Sequence, residues 1–311
     1  MRLRGRPLGV LLLVLTVALP ASAGEREPGT PSCFGAASRD PRTPCHNAAL
    51  RFMVRPRPSI AEITPNEPCD RLPRSGPVHP CAFGVDAASA VRTVALIGDS
   101  HASHWRAALH VAALARHWRG ISITSGICPV SEFLRPAHGS RRQCVRWNRA
   151  VVRWLTRHPE VSMVVHAQIN SRTSVAVRSY SAEVRGYRRI WKRFPPSVRR
   201  IAAIRDDPFV TFDTAGCVMR ARARRERPGR ACALSRAFSL RRDPLARAAS
   251  TSRSRRVDLV DLTRYFCGQR RCYPVVGGAL VHKDTHHLTR VFARTLGPYL
   301  LRRLDTILAG D

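Results

Sequence analysis

Residues 93–101, Thr-Val-Ala-Leu-Ile-Gly-Asp-Ser-His, constrain the fold more than any other stretch of the chain. Val94 to Ile97 form a short apolar run, as a strand buried on both faces requires. Gly98 stops it. An acid, a hydroxyl and an imidazole follow, and an amphipathic run begins at Ala102. That order spells strand, tight turn and helix. In an α/β fold it sets Ser100 at the carboxyl end of a strand, near a helix N-terminus whose free N–H groups favour negative charge. Ser100 is the candidate nucleophile.

The same alternation continues. Further strands are expected at Ile121–Thr124, Val161–His166, Arg200–Ile204 and Val257–Leu262. Helices are expected at Ala102–Trp118, Trp147–His158, Tyr180–Phe194 and Leu288–Leu304, the last with a kink at Gly297-Pro298. Leu234–Ser250 reads as partly helical and broken at Pro244, and Val275–Val281 as a short extended segment. Repeated β-α units predict a doubly wound parallel sheet of about five strands over residues 91–311. Residues 24–90 are rich in Pro, Cys and Arg and read as an irregular extension, with a short edge strand at Phe52 and Val54.

Residues 1–23 carry an export signal. Arg2, Arg4 and Arg6 form a basic start, Leu8–Leu19 an apolar stretch, and Ala21-Ser22-Ala23 a small-residue cleavage site. The expected location is secreted or extracytoplasmic, or membrane-anchored if that segment is retained. Ten cysteines agree, falling in local pairs: Cys33/Cys45, Cys69/Cys81, Cys128/Cys144, Cys217/Cys232 and Cys267/Cys272. An exported chain with evenly paired cysteines points to disulfides. Spacing leaves the connectivity open, and the sequential pairing is favoured because its loops are short and cheap to close.

The formal charge is +32, yet Lys192 and Lys283 are the only lysines. Arginine dominance of this kind, beside abundant Ala and Pro, fits coding bias, so a solvated basic surface explains it. The functional alternative is attraction to anionic wall polymers; charge alone supports no specific nucleic-acid partner. The densest run, Arg220 to Arg227, is expected as a loop between Cys217 and Cys232.

A serine hydroxyl needs a base, and the base needs an orienting group. Asp284-Thr-His-His287, just before the last helix, offers both. At a loop-to-helix start, a spacing of three lets the Asp284 carboxylate reach Nδ1 of His287 and leaves Nε2 for Ser100. A metal site from His282, His286 and His287 is the weaker reading of the same residues.

Gly98-Asp99-Ser100-His101 before a helix, and Asp284-x-x-His287-Leu288-Thr289 near the C-terminus, resemble the SGNH hydrolase superfamily. More narrowly, the chain resembles the SGNH domain fused to acyltransferase-3 membrane proteins that O-acetylate cell-surface glycans. That likeness also takes in Cys128-Pro129, Cys144 with Trp147-Asn148, Asp261-Leu262 before Cys267 and Cys272, and Gly277-Gly278 leading to His282. The resemblance implies a flavodoxin-like sheet of SGNH-hydrolase type, here expected as a free-standing version. It implies Ser100 as nucleophile, His287 as base and Asp284 as its orienter. Asp99 would shape the turn, and the N–H groups of Ser100 and Gly126 would face the oxyanion. The superfamily's Gly-x-Asn-Asp after the third strand is replaced by Ala167-Gln168-Ile169-Asn170, so Asn170, or second Gln168, is the candidate third donor. His101 is expected to line the site or bond the turn.

The expected activity is that of an exported serine esterase or O-acyltransferase acting on O-acetyl groups of a cell-envelope glycan, through an acyl-serine and without cofactor or metal. Its partners would be an acylated glycan or small acyl ester, with a membrane acyltransferase as a further candidate. The alternative is a non-catalytic wall-glycan-binding protein on the same scaffold. A metallophosphoesterase reading of Gly-Asp-x-His lacks the further acidic, Asn and His ligands that two ions need.

Overall fold

The computed structural model describes residues 29–126, 128–133, 141–170 and 177–310. The export segment expected at 1–23 lies outside the described residues. Seven strands form one sheet: β1 (Asp70–Arg71), β2 (Cys81–Gly84), β3 (Arg92–Gly98), β4 (Trp118–Thr124), β5 (Val161–Ala167), β6 (Arg200–Ile204) and β7 (Val257–Val260). Their order is β1-β2-β4-β3-β5-β6-β7. β3 to β7 are mutually parallel, and β1 and β2 add an antiparallel edge beside β4.

Five principal helices accompany the sheet: α1 (Ser100–Ala115), α2 (Arg141–Arg157), α3 (Val177–Lys192), α4 (Pro244–Ser250) and α5 (Arg290–Leu308). The alternation within β3 decides which face each one covers. Val94 and Leu96 pack with Trp105 and Leu109 of α1 and Phe292, Leu296 and Leu300 of α5. Ala95 and Ile97 face the other way, toward Trp147 and Leu155 of α2, Ile190 and Trp191 of α3 and Leu245 of α4. Each such large apolar side chain contributes about 1.5–3 kcal/mol on full burial. α1 and α5, which carry the two halves of the site described below, are therefore fixed against each other by packing. Gly297 permits their close approach, since a Cβ there would lie 2.5 Å from that of Val111.

The five parallel strands fall where expected, and the two further strands come from the extension. β1 has only two residues, too few for alternation to show in sequence, and the Cys69–Cys81 disulfide brings it to β2. No strand forms at Phe52 and Val54; Arg55 instead makes an isolated bridge to Ala279. The arginine-rich stretch is not a loop throughout, because Thr214–Ala223 is helical with Val218 and Ala221 buried. α1 ends before Trp118, as His117 turns the chain with φ 53° and β4 starts at once. Val275–Val276 and Ala279–Leu280 form a hairpin.

All ten cysteines pair with their sequence neighbours: Cys33–Cys45, Cys69–Cys81, Cys128–Cys144, Cys217–Cys232 and Cys267–Cys272. Buried acids clamp the extension onto the helices. Asp40, 3% exposed, accepts two hydrogen bonds from Arg302 of α5, and Glu67 accepts from Arg294. Arg106 of α1 donates to the Glu67 carbonyl at 2.7 Å.

Candidate active site

The turn after β3 requires glycine. Gly98 has φ 144°, and a Cβ there would lie 1.8 Å from the Ala167 carbonyl oxygen. Asp99 then caps α1: its Oδ1 accepts the His101 N–H at 2.8 Å. The same buried carboxylate accepts the N–H of Ile169 and the side-chain amide of Gln168. Burial pushes Asp99 above the ordinary carboxylate range. One side chain thus ties the nucleophile turn to the loop after β5. Ser100 opens α1, so its N–H has no intrahelical acceptor.

A second tether brings in the end of β4. Ser103 Oγ lies 3.0 Å from Thr124 Oγ1, and the Ser125 N–H donates to the Gly98 carbonyl at 3.1 Å. Gly126 follows, exposed, with open space where a Cβ would be. β3 lies between β4 and β5, so all these groups stand on the carboxyl edge where the strand order reverses. This is the place where open α/β sheets bind ligands.

The third component arrives from the far end of the chain. The hydroxyl of Ser100 donates to His287 Nε2 at 2.9 Å. His287 Nδ1–H donates to Asp284 Oδ2 at 2.7 Å, and Asp284 Oδ1 accepts the N–H groups of His286 and His287. Half-burial of Asp284 disfavours its charge, but these three donors outweigh that and hold it below the ordinary carboxylate range. With Nδ1 carrying the ring proton, Nε2 is the lone pair that faces the serine. A hydroxyl, a tautomer-locked imidazole and a carboxylate in this order can remove and return a proton at Ser100 Oγ.

The two amides of the loop after β5 differ in their bonds. The Gln168 side chain is occupied at both ends, with Asp99 at its nitrogen and the Val130 N–H at its oxygen. Asn170 is 7% exposed, its N–H donates to Asp206 Oδ2 at 2.7 Å, and its side-chain amide has no hydrogen-bond partner among the described residues.

His101 is fully buried. Its Nδ1 lies 2.5 Å from Asp206 Oδ1 and 3.5 Å from Asp207 Oδ1, and its Nε2 lies 3.0 Å from His286 Nδ1. Burial works against charge on His101, yet the two carboxylates beside it hold it well above the ordinary imidazole value. Asp207 also meets His104 at 3.1 Å and His282 at 3.0 Å. The Leu288 N–H donates to His104 Nδ1, which places that ring's proton on Nε2, toward Asp207. Burial depresses His104 to about 3, so it is neutral at ordinary pH. His286 falls to about 4, through burial first and then the nearby His287 and His101.

Two sets of donor atoms converge within 4.8 Å: His101, His286 and His287, and His101, His104 and Asp207. His282 belongs to neither set, because it turns to Asp207. Both ring nitrogens of His101 and both of His287 are engaged by protein groups, a pattern suited to protons rather than to an ion. Asp206 and Asp207 were missed in the sequence. Their signal was an acidic pair one residue beyond the wholly buried strand β6, on the carboxyl edge.

The family model described as "SGNH domain (fused to AT3 domains)" matches residues 67–302. Among solved structures, the chain is similar to the periplasmic domain of a lipopolysaccharide acetyltransferase of Salmonella ser. Paratyphi A. The identity is 14%, the TM-score 0.55, and the match covers 72% of this chain and 90% of that one. At this identity the likeness is one of fold. No curated protein sequence matches the chain.

Proposed function

The chain belongs to the family of SGNH domains that occur fused to AT3 domains, and from that membership we propose that it is a serine esterase or O-acyltransferase acting on O-acetyl groups of a cell-envelope glycan. The observation that carries this reading is the contact of Ser100 Oγ with His287 Nε2 at 2.9 Å, backed by Asp284. Ser100 attacks the acetyl carbonyl as His287 takes its proton. The tetrahedral oxyanion is met by the N–H groups of Ser100 and Gly126, with the Asn170 side chain as third donor; one such donor is worth about 10²–10³ in rate. The bonds of Gln168 to Asp99 and Val130 favour Asn170 over Gln168 for that role. Collapse releases the sugar and leaves an acetyl-serine, which water or a second sugar hydroxyl resolves.

Five disulfides support work outside the cytoplasm, and no helix among the described residues is long and apolar enough to cross a membrane. An acyl donor in that compartment would come from a membrane acyltransferase or from an already acetylated glycan. The test is acetate release from p-nitrophenyl acetate and from an acetylated oligosaccharide by wild type, Ser100→Ala and His287→Ala. Turnover that drops by about 10³ or more in both variants supports the serine mechanism. Added sugar acceptor then separates transfer from hydrolysis. A folded, oxidised wild type no faster than Ser100→Ala, but binding glycan equally well, points to the non-catalytic alternative.

A further inference from the structure

Beside the Ser100–His287–Asp284 array runs a second carboxylate-backed imidazole chain. Asp206 Oδ1 meets His101 Nδ1 at 2.5 Å, and His101 Nε2 meets His286 Nδ1 at 3.0 Å. The His101 and His286 rings are 14° from parallel. His286 is held by its N–H bond to Asp284 and by the Val210 N–H bond to the Thr285 carbonyl. Its ring centroid stands 4.2 Å from that of His287. His286 is half-buried, its Nδ1 is committed to His101, and its Nε2 has no partner among the described residues. An imidazole with one nitrogen tied to a buried relay and the other unengaged, next to the base of the triad, is placed to exchange a proton with whatever occupies the site.

Taking the serine reading above as its basis, we propose that His286 is a second acid–base group of the site, serving the sugar oxygen while His287 serves Ser100, with His101 and Asp206 as positioning residues that hold its proton. With His101 protonated between the two aspartates, its Nε2–H donates to His286 Nδ1, and His286 presents Nε2–H outward. In acylation His287 takes the Ser100 proton and the serine–acetyl bond forms. As the ester C–O bond breaks, the leaving sugar oxygen takes the His286 Nε2 proton, and the His101 Nε2 proton moves to His286 Nδ1. Neutral His101 stays bonded to Asp206. In deacylation, water or an acceptor sugar gives its proton to His286 Nε2 while the Nδ1 proton returns to His101. The new bond to acetyl forms, the serine ester breaks, and Ser100 recovers its proton from His287. Every group ends as it began.

A sugar alkoxide is a poor leaving group without a proton, whereas p-nitrophenolate leaves as a stable anion, so the two substrates separate this role from a structural one. The experiment is single-turnover acylation of wild type, His286→Gln and Asp206→Asn with p-nitrophenyl acetate and with an acetylated oligosaccharide. For His286→Gln, acylation by the acetylated sugar should fall about 100-fold, while the nitrophenolate burst stays within about threefold of wild type. Asp206→Asn, if folded, should shift the two substrates in the same unequal way. Equal losses on both substrates, or no loss on either, in His286→Gln would overturn the proposal. A wild type with no more burst than Ser100→Ala would instead sink the serine reading beneath it.

Discussion

Asp284 holds His287 twice: Oδ1 accepts the backbone N–H and Oδ2 accepts ring Nδ1–H, each at 2.7 Å. The residue that orients the imidazole therefore also sets the turn presenting it. Asp284→Asn tests the two jobs separately. An amide can keep one acceptor for the backbone but offers a donor to the ring, which favours the wrong tautomer. The fold should survive, because Asp284 is on the surface side of the site. The expected result is a fall of about 10²–10⁴ in kcat with KM nearly unchanged, read from p-nitrophenyl acetate kinetics. A variant within tenfold of wild type would show that Asp284 is not the orienting group.

Asn170 and Gln168 sit two residues apart but differ in their bonds: the Gln168 side chain is held by Asp99 and Val130, whereas Asn170 is held through its backbone N–H. Asn170→Ala should lower kcat about 10²-fold with thermal stability close to wild type, as loss of an oxyanion donor does. Gln168→Ala leaves the Ile169 N–H as the remaining tie between Asp99 and the loop after β5, so it should lower stability as well as activity, by about 1–3 kcal/mol for the carboxylate left short of one buried partner. Activity and urea unfolding measured on both variants distinguish these patterns. Equal behaviour would mean that Asn170 only supports the loop.

Much of the site was legible because its signals are local. Ser100 stands two residues beyond a buried strand, and Asp284 and His287 share one turn, so pattern and spacing were enough. The five parallel strands were legible for the same reason, being short apolar runs at regular intervals. What escaped were partnerships across distance. Asp206 meets His101 across 105 positions and Asp207 meets His282 across 75, and nothing beside either aspartate announces a partner. β1 was too short to alternate. The helix Thr214–Ala223 hid behind its arginines, since it buries only Thr214, Val218 and Ala221.

Gly98→Ala should be among the most damaging single-methyl additions in the chain. The new Cβ would meet the Ala167 carbonyl oxygen at 1.8 Å and the Ala102 Cβ at 2.9 Å, on a backbone with φ 144°. Relief requires β3 and β5 to part at the end that carries Ser100 and Asn170. We expect a loss of about 3 kcal/mol or more in urea unfolding and no measurable turnover. Wild-type stability would mean that the turn can take another path.

Acid should unfold the protein through its buried histidines. His104 and His166 are each depressed by burial from 6.5 to about 3. His166 accepts from Trp191 Nε1 at Nδ1, and its Nε2 has no partner among the described residues to stabilise a charge. Protons bind the unfolded chain more tightly than the native one at both positions. Their contribution is therefore intact above pH 6.5 and is lost as pH falls toward about 3. His286, lowered to about 4, and Asp284, also lowered, act in the same direction. His101 acts oppositely, its contribution being full below pH 6.5 and lost as pH rises through its raised value, and Asp99, Asp206 and Asp243, all raised by burial, also bind protons more tightly in the native chain and offset part of the fall. Urea unfolding at pH 7, 6, 5 and 4 should show stability falling with a slope of up to about 1.4 kcal/mol per pH unit for each histidine. His166→Gln, which keeps a neutral acceptor for Trp191, should remove one proton from that slope. A His166→Gln profile with the same slope as wild type between pH 6.5 and 4 would mean that the native interior accommodates the His166 charge and that burial does not hold this ring neutral.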